Sequence, residues 1–373
     1  MKVLNVIWGF TPGGVGKCFL SYCRVGDVEP RLDVVSVCIN LENTNADTQP
    51  LKDNGVLILG IKNRRDFSWI KRLNALIGHE RPDLIFTHGF NGPVVVLLCR
   101  LLGGKNVPMV CSYHSEYHPM TRARRPLAPI LNGVVHFIYR HFAKAVLGVS
   151  SFNLDYLRKC GIQGEKLSYV HNGAVDVKGE LAVPVGFPEF GAATIKFLVA
   201  SRIDAIKGLS SLIEGFALAR KSRCDIALII VGDGPIRADL EHEVEVLGLI
   251  DSVRFVGVRN DVANWMAYSD VFCLPSFVES FPIGLIEAMR GGKPSVVSHA
   301  GGIPEAVTED EALFIKAGDA TSIASAIERM AGDAPLRARL GASARKRYLA
   351  NFTEGKMMRG IADWLLKNGG CDE

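Results

Sequence analysis

From residue 3 to residue 315 one pattern recurs: a short run of β-branched and aliphatic residues, then a longer amphipathic stretch, then the next run. Parallel strands need long crossovers between them, and helices are what cross over, so this alternation prescribes parallel sheets wrapped in helices. The runs predict strands at 3–8, 34–38, 56–59, 84–87, 108–112, 146–149 and 167–170, then at 195–200, 226–231, 253–256, 271–274, 295–298 and 313–315. Between the two series, residues 177–193 are rich in Gly, Pro and Ala, with Pro184 and Pro188 opposing regular structure. The expected organisation is a Rossmann-like domain at 1–178, a linker at 179–193, a second such domain at 194–350, and a segment at 351–373 returning towards the first domain. That last segment predicts a helix from Thr353, a suitable N-cap, to Asn368, stopped by Gly369 and Gly370.

The chain has 373 residues, 48% hydrophobic and 22% charged, which suits two cored domains and excludes a disordered or fibrous chain. Charge is unevenly placed. Residues 1–180 carry 22 Lys+Arg against 14 Asp+Glu, whereas residues 181–373 carry 21 against 25. Seven of the nine histidines also lie in the first part. A basic half beside an acidic half points the first half towards an anionic partner, such as a phosphorylated lipid or a membrane surface. Nine cysteines form no CxxC pair, and most sit in apolar runs such as Val37-Cys38-Ile39, so they read as core residues of a reducing compartment. No apolar stretch reaches the length of a membrane span, and Pro12, Gly13 and Gly14 interrupt the N-terminal run before it could serve as a secretory signal. The expected location is the cytoplasm.

Nearly every chemically interesting residue follows a predicted strand directly: Gly13, Gly14 and Gly16; His88; His114; Asn172; Arg202 and Lys207; Gly232 and Gly234; Glu279. In open α/β sheets, ligands bind beyond the carboxyl ends of the strands. Two such domains facing each other across a cleft would gather these residues around it.

The stretch from Pro275 to Met289 places Glu279 and Glu287 eight positions apart around a predicted helix start, with Pro282 suited to the first turn. The backbone across Ser280, Phe281, Pro282, Ile283 and Gly284 then offers N–H groups that no helical carbonyl takes, fit for a phosphate or a sugar hydroxyl. Carboxylates are the natural acceptors for vicinal hydroxyls. The Pro12–Lys17 segment invites a P-loop reading, which fails: Thr11 stands where a Walker element needs Gly, and Cys18 where it needs Ser or Thr.

The Glu279–Glu287 pair resembles the Glu-x7-Glu signature of retaining family 4 glycosyltransferases of the GT-B fold. Arg202 to Gly208 resembles that family's Arg-x4-Lys-Gly element, and Gly232-Asp233-Gly234-Pro235 its Gly-x-Gly-Pro turn. Asp270–Ser276 and Gly301–Glu305 match two further blocks, in the family's order. The resemblance implies a retaining, metal-independent transfer of a sugar from a nucleotide-diphosphate sugar, a UDP- or GDP-sugar, with no resident cofactor. It assigns Glu287 to the ribose, Glu279 to the donor sugar hydroxyls, and Arg202 with Lys207 to the diphosphate, while Gly232 and Gly234 let a tight loop pass near the base. Gly301 and Gly302 fit a close-packed turn equally well.

The first half resembles the family less. Gly13, Gly14 and Gly16 occupy its Gly-Gly loop near donor phosphates and acceptor, His114 matches its histidine after a strand, and Asn172-Gly173 its Asn-Gly turn, with Ala174 inserted before Asp176. His88 is similarly placed and is taken as a substrate contact. Arg122, Arg124 and Arg125, with the apolar stretch 127–142 and Arg140, fit either a segment lying on an anionic membrane or a core helix behind a basic loop. Lys62, Arg64, Arg65, Lys71 and Arg72 form a second basic cluster, read as a solvated face. No nucleic-acid motif is present. The sequence thus predicts a glycosyltransferase acting on a glycan or glycolipid acceptor in envelope assembly, peripheral to the inner face of the plasma membrane. A nucleotide-sugar epimerase or a non-catalytic nucleotide-sugar binder of the same architecture are the alternatives.

Overall fold

The computed structural model describes residues 1–10, 13–40, 48–61, 66–114, 128–177, 179, 181–191 and 193–370. The chain divides into two compact units. One holds the described residues of Met1–Tyr117, Pro126–Gly173 and Glu354–Glu373, the other those of Ala174–Thr353.

In the first unit, seven strands are described: β1 (Lys2–Gly9), β2 (Asp33–Asn40), β3 (Leu57–Ile58), β4 (Leu84–His88), β5 (Met109–Tyr113), β6 (Ala145–Gly148) and β7 (Leu167–Tyr169). They form one parallel sheet in the order β3-β2-β1-β4-β5-β6-β7. In the second unit, β8 (Ile195–Ala200), β9 (Ile226–Val231), β10 (Val253–Gly257), β11 (Val271–Leu274), β12 (Ser295–Ser298) and β13 (Ala312–Ile315) form a parallel sheet in the order β10-β9-β8-β11-β12-β13. Each is the doubly wound arrangement, whose order reverses beside its first strand. The switch point therefore lies between β1 and β4 in one unit and between β8 and β11 in the other. His88 ends β4, and the loops leaving β8 and β11 carry Arg202, Lys207 and Glu279.

The strands form where continuous apolar runs can be covered on both faces by helices. All six residues of β9 are buried, as are all five of β4 and of β5. The second unit's core joins Phe197, Phe216, Leu228, Ile230, Ile323 and Leu340 on one face of its sheet. Side-chain caps mark several helix starts: Ser150 accepts from Asn153 N, and Asp319 from the N–H groups of Thr321 and Ser322. Cys18, Cys38, Cys99, Cys111 and Cys273 are buried and free, and burial pushes the Cys38 and Cys99 thiols up to about 11. They act as small hydrophobes.

The helix Glu354–Gly369 belongs to the first unit, where Ser21 Oγ and Arg24 Nη2 both reach Glu354 Oε1 and the Trp364 ring lies 5.6 Å from that of Phe86. Arg122, Arg124, Arg125, Lys62, Arg64 and Arg65 lie outside the described residues. The helix Ala128–His141 settles part of the choice left by the sequence: Val135, Ile138 and Tyr139 are buried in the first unit's core, while Ile130, Val134 and Phe137 on its other face are 65%, 46% and 53% exposed.

Candidate active site

In the second unit the site grows from the ends of β8, β11 and β12. Beyond β8 the chain stays hydrogen-bonded to the end of β9 and the loop after it: Ser201 N donates to Val231 O at 3.1 Å and Ile203 N to Asp233 O at 2.9 Å. The two backbones run so close that a Cβ on Gly232 would lie 1.9 Å from Ser201 O, and one on Gly234 2.0 Å from Ile203 O. These glycines permit loop-on-loop packing beneath Arg202. The Arg202 side chain is 58% exposed and lies 3.2 Å from the carboxylate of Asp204, which is itself buried.

Lys207 closes a single helical turn, Ala205–Lys207, and Gly208 follows in the left-handed region with φ +67°. There Phe277 N donates to Ile206 O at 2.8 Å, stitching the loop after β8 to the loop after β11. That stitching brings Lys207 Nζ within 2.7 Å of Glu279 Oε1, and Ser276 Oγ donates to the same oxygen at 2.7 Å. The Glu279 carbonyl accepts from Gly302 N at 2.9 Å, so the loop after β12 clamps the same residue. A Cβ on Gly301 would fall 1.8 Å from that carbonyl oxygen, and its φ is +55°. The close-packed turn is thus realised, and its function is to grip Glu279.

The helix Ile283–Arg290 starts one residue later than the sequence reading placed it. Pro282 is its N-cap, with ψ 111°, rather than a residue of its first turn. An extended ψ is what the chain needs to leave the loop before the helix begins, and Pro tolerates it. Ile283 and Gly284 occupy the first helical positions, whose N–H groups have no acceptor within the helix. Glu287 falls just past the first turn and is buried. Ser280 and Phe281 precede the helix, Phe281 being buried against the ring of Phe352 at 5.5 Å.

Chemically, the Lys207–Glu279 pair has capacity to spare. An ammonium has three donors and a carboxylate about four acceptor sites, and the hydrogen bonds of Lys207 and Ser276 to Glu279 use one ammonium donor and one carboxylate oxygen. Such a pair can offer positive charge to a phosphate and lone pairs to hydroxyls while each partner neutralises the other. Among the described residues no group of three His, Cys, Asp or Glu side chains could hold a metal ion.

The first unit presents a different chemistry. Helix Gly14–Cys23 begins beyond β1 with Gly13 as N-cap; Gly13 and Gly14 are exposed, and Gly16 is buried. Cys18 on this helix donates from Sγ to Asn172 Oδ1 at 3.2 Å, and Asn172 is buried. His88 corrects the sequence reading. It is the last residue of β4 and only 2% exposed, with Nδ1 at 2.7 Å from Ser112 Oγ and Nε2 on Asn5 Oδ1. Both ring nitrogens are thus used inside the protein, and none is left for substrate. His114 follows β5, is 7% exposed, and places Nε2 at 3.0 Å from Ser112 Oγ. Burial pushes its imidazole down to about 4 and holds that of His88 well below the usual histidine range, so both rings are neutral near pH 7.

Four participants were missed from sequence: Ser276, Asp204, Asn5 and Ser112. Two left a signal. Asn5 is the one polar residue inside the apolar run Val3–Trp8, and Ser112 lies two residues before His114, hence on the same face of an extended chain.

Comparison with known proteins follows the same division. The sequence model described as "Glycosyltransferase Family 4" matches residues 35–177, and that described as "Glycosyl transferases group 1" matches residues 189–347. Over 159 residues the chain is 31% identical to N-acetyl-alpha-D-glucosaminyl L-malate synthase of Bacillus anthracis, covering 42% of each chain. Over 176 residues it is 35% identical to the lipopolysaccharide core biosynthesis glycosyltransferase LpsD of Rhizobium meliloti (strain 1021), covering 46% of this chain and 50% of that one. The matched region thus spans half or less of each of these two relatives. In fold, the chain is similar to Anabaena Alr3699/HepE in complex with UDP-glucose, with a TM-score of 0.82 and 20% identity over 98% of this chain and 100% of that one. Two Rossmann-like sheets, a Glu-x7-Glu loop beside an Arg-x4-Lys turn, and both family matches in chain order converge on one assignment: the chain belongs to the group 1 glycosyl transferases, of the GT-B fold.

Proposed function

We propose that the protein transfers a sugar, with retention, from a nucleotide-diphosphate sugar to a glycan or glycolipid acceptor of the cell envelope. The observation that carries this reading is the ion pair of Lys207 with Glu279 at the switch point of the second sheet, beside a helix start with uncommitted N–H groups. Lys207 and the exposed Arg202 receive the diphosphate, where negative charge develops as the nucleoside diphosphate departs. Glu279 accepts from hydroxyls of the donor sugar, and Glu287 from the ribose. The two cations and the start of the helix Ile283–Arg290 supply the positive charge, so the reaction needs no divalent ion. LpsD supports an envelope role and the UDP-glucose complex of Alr3699/HepE a nucleotide-sugar donor. An epimerase or a non-catalytic binder gains no such support.

The acceptor is held by the first unit, against an anionic bilayer. Residues 84–154 contain seven Lys or Arg and a single acidic residue, Glu116. Within that stretch the helices Asn91–Leu101 and Ala128–His141 expose Leu98, Leu101, Ile130, Val134 and Phe137. Apolar side chains in a stretch with seven cations and one carboxylate suit a peripheral contact with anionic lipid. No helix among the described residues is long and apolar enough to cross a membrane.

A thermal-shift screen against UDP-, GDP- and ADP-sugars, followed by product analysis with and without a lipid-linked acceptor, tests the reading. Stabilisation by one donor class and sugar transfer only when acceptor is present support it. Conversion of the donor sugar without acceptor returns the epimerase, and binding without turnover returns the non-catalytic binder.

A further inference from the structure

Asn5, His88, Ser112 and His114 form one continuous chain of hydrogen bonds across β1, β4 and β5 in the first unit. Each has its place in the sheet: His88 lies opposite Ile7 on one side and opposite Ser112 on the other, and Asn5 and His114 sit two residues away on the same faces. Aromatic rings enclose the chain. Phe86 and Tyr22 lie 4.2 Å and 5.1 Å from the His88 ring, and Tyr22 stacks on His114 at 6.3 Å.

The direction of donation follows from the far end. Cys23 donates from Sγ to Phe19 O at 3.2 Å, so towards Asn5 its sulfur can only accept. That fixes the Asn5 amide: Nδ2 faces Cys23 and donates to Ser36 Oγ at 2.9 Å, and Oδ1 faces His88. An amide oxygen only accepts, so His88 carries its proton on Nε2 and leaves Nδ1 bare. Ser112 must then give its single hydroxyl proton to His88 Nδ1. Its oxygen, with no second proton, accepts from His114, which therefore holds its own proton on Nε2.

We propose that Asn5, His88 and Ser112 are positioning residues that lock His114 in the Nε2–H tautomer and present its bare Nδ1 as an acceptor for a sugar hydroxyl of the substrate. No described residue occupies Nδ1. Burial keeps both imidazoles neutral near pH 7, so the lone pair is available. His88 thereby acts through His114, without touching the substrate. The ligand assignment rests on the glycosyltransferase reading; the tautomer assignment stands on the hydrogen bonds alone.

Nitrogen-15 NMR of the full chain with labelled histidine tests the lock without ligand, His114 being assigned by comparison with His114→Gln. A protonated-type Nε2 and a bare-type Nδ1 at neutral pH are expected; an Nδ1–H tautomer overturns the proposal. Ser112→Ala should then release the lock, giving exchanging tautomers and lowering kcat on the order of 10-fold or more, the scale of losing a group that fixes an imidazole's tautomer. The donor KM should move less than about twofold, since the lost contact lies behind the ring and not on the donor. Ser112→Thr, which keeps the hydroxyl, should restore both signals. Unchanged tautomer and turnover in Ser112→Ala also overturn the proposal. If Ser112→Ala does not fold, the wild-type spectrum alone decides the tautomer. Wild-type protein that shows the expected tautomer but transfers no sugar removes the glycosyltransferase reading and leaves the lock standing.

Discussion

Lys207 Nζ and Glu279 Oε1 lie 2.7 Å apart, joined across 72 positions of sequence by the loops that leave two neighbouring strands, β8 and β11. Both side chains are largely withdrawn from solvent, so each depends on the other for charge compensation. Before a donor arrives the pair keeps its own partners in place. On the proposed reading, this preorganisation would spare the site a rearrangement when charge develops on a leaving diphosphate.

Lys207→Ala and Glu279→Ala should each lower kcat/KM by on the order of 100-fold, the scale of one preorganised transition-state contact. Because the two act as a unit, the double variant should be far less than 10,000-fold down, close to either single variant. Steady-state kinetics of the four proteins checks this, and strictly multiplicative losses would show two independent contacts. Arg202→Ala should raise the donor KM more than it lowers kcat, since its guanidinium is solvent-exposed in the absence of donor and is recruited on binding.

Gly301→Ala should destabilise the second unit by about 2 kcal/mol or more, because φ +55° strains any β-carbon and that carbon meets Glu279 O at 1.8 Å. Gly103→Ala is the control, with φ +90° and nothing within 4 Å, so it carries the backbone strain alone. Denaturant midpoints at equal m-values should separate the two, and activity should fall only for the Gly301 variant.

Stability should decline on acidification through the window set by His114. Its folded-state pKa, about 4, lies below the ordinary value of 6.5, so the unfolded chain binds the proton first as pH falls. The stability is fully present above about pH 6.5 and drains away down to about 4, at a total on the order of 3 kcal/mol for a shift of this size. His88, which shares the network, is shifted in the same direction. His114→Gln should flatten the difference in unfolding free energy between pH 7 and pH 4.5, and an unchanged slope would place the acid sensitivity elsewhere.

On the proposed mechanism transfer should persist in excess EDTA, with Lys207, Arg202 and the helix start providing the charge that a divalent ion would otherwise bring to a diphosphate. Loss of turnover that Mg²⁺ or Mn²⁺ restores would refute this part of the mechanism.

The strands were legible because a parallel strand covered on both faces reads as a nearly continuous apolar or β-branched run: β8, β9, β11 and β12 have the residue bounds read from sequence, although Lys196 interrupts β8 and Ser295 and Ser298 bound β12. The loops of the candidate site were legible by position, since each follows such a run. What sequence spacing could not supply was which partners meet. Lys207 and Glu279 were read as contacting separate parts of a donor, yet they contact each other. His88 was placed on substrate because it ends a strand, but its neighbours in register, not its position, decide what its nitrogens meet. The glycines of the 232–234 loop were read as letting a tight loop pass near a base, but the spacing did not show what that loop packs against, the carbonyls of Ser201 and Ile203. These outcomes depend on tertiary proximity, which no local pattern encodes.

Membrane attachment gives the last test. The exposed face of the helix Ala128–His141 carries Ile130, Val134 and Phe137 at spacings of four and three, one stripe of a helix, and the helix Asn91–Leu101 that contacts it exposes Leu98 and Leu101. Withdrawing each such side chain from water is worth about 1.5 kcal/mol or more. The triple change Ile130→Ser, Val134→Ser, Phe137→Ser should therefore weaken vesicle binding by at least about 100-fold while sparing transfer to a water-soluble acceptor analogue, because the stripe lies on the face turned away from the buried Val135, Ile138 and Tyr139. Arg140, which donates to Cys160 O, and Lys144 are exposed, and each cation near an anionic surface adds about 1 kcal/mol that salt screens. Wild-type binding should thus fall with ionic strength without vanishing, and neutral vesicles should bind more weakly than anionic ones at low salt. Sedimentation with vesicles of both compositions decides. Equal pelleting of wild type and triple variant would place the contact elsewhere, and absence of pelleting for both at low salt would show that this face meets water alone.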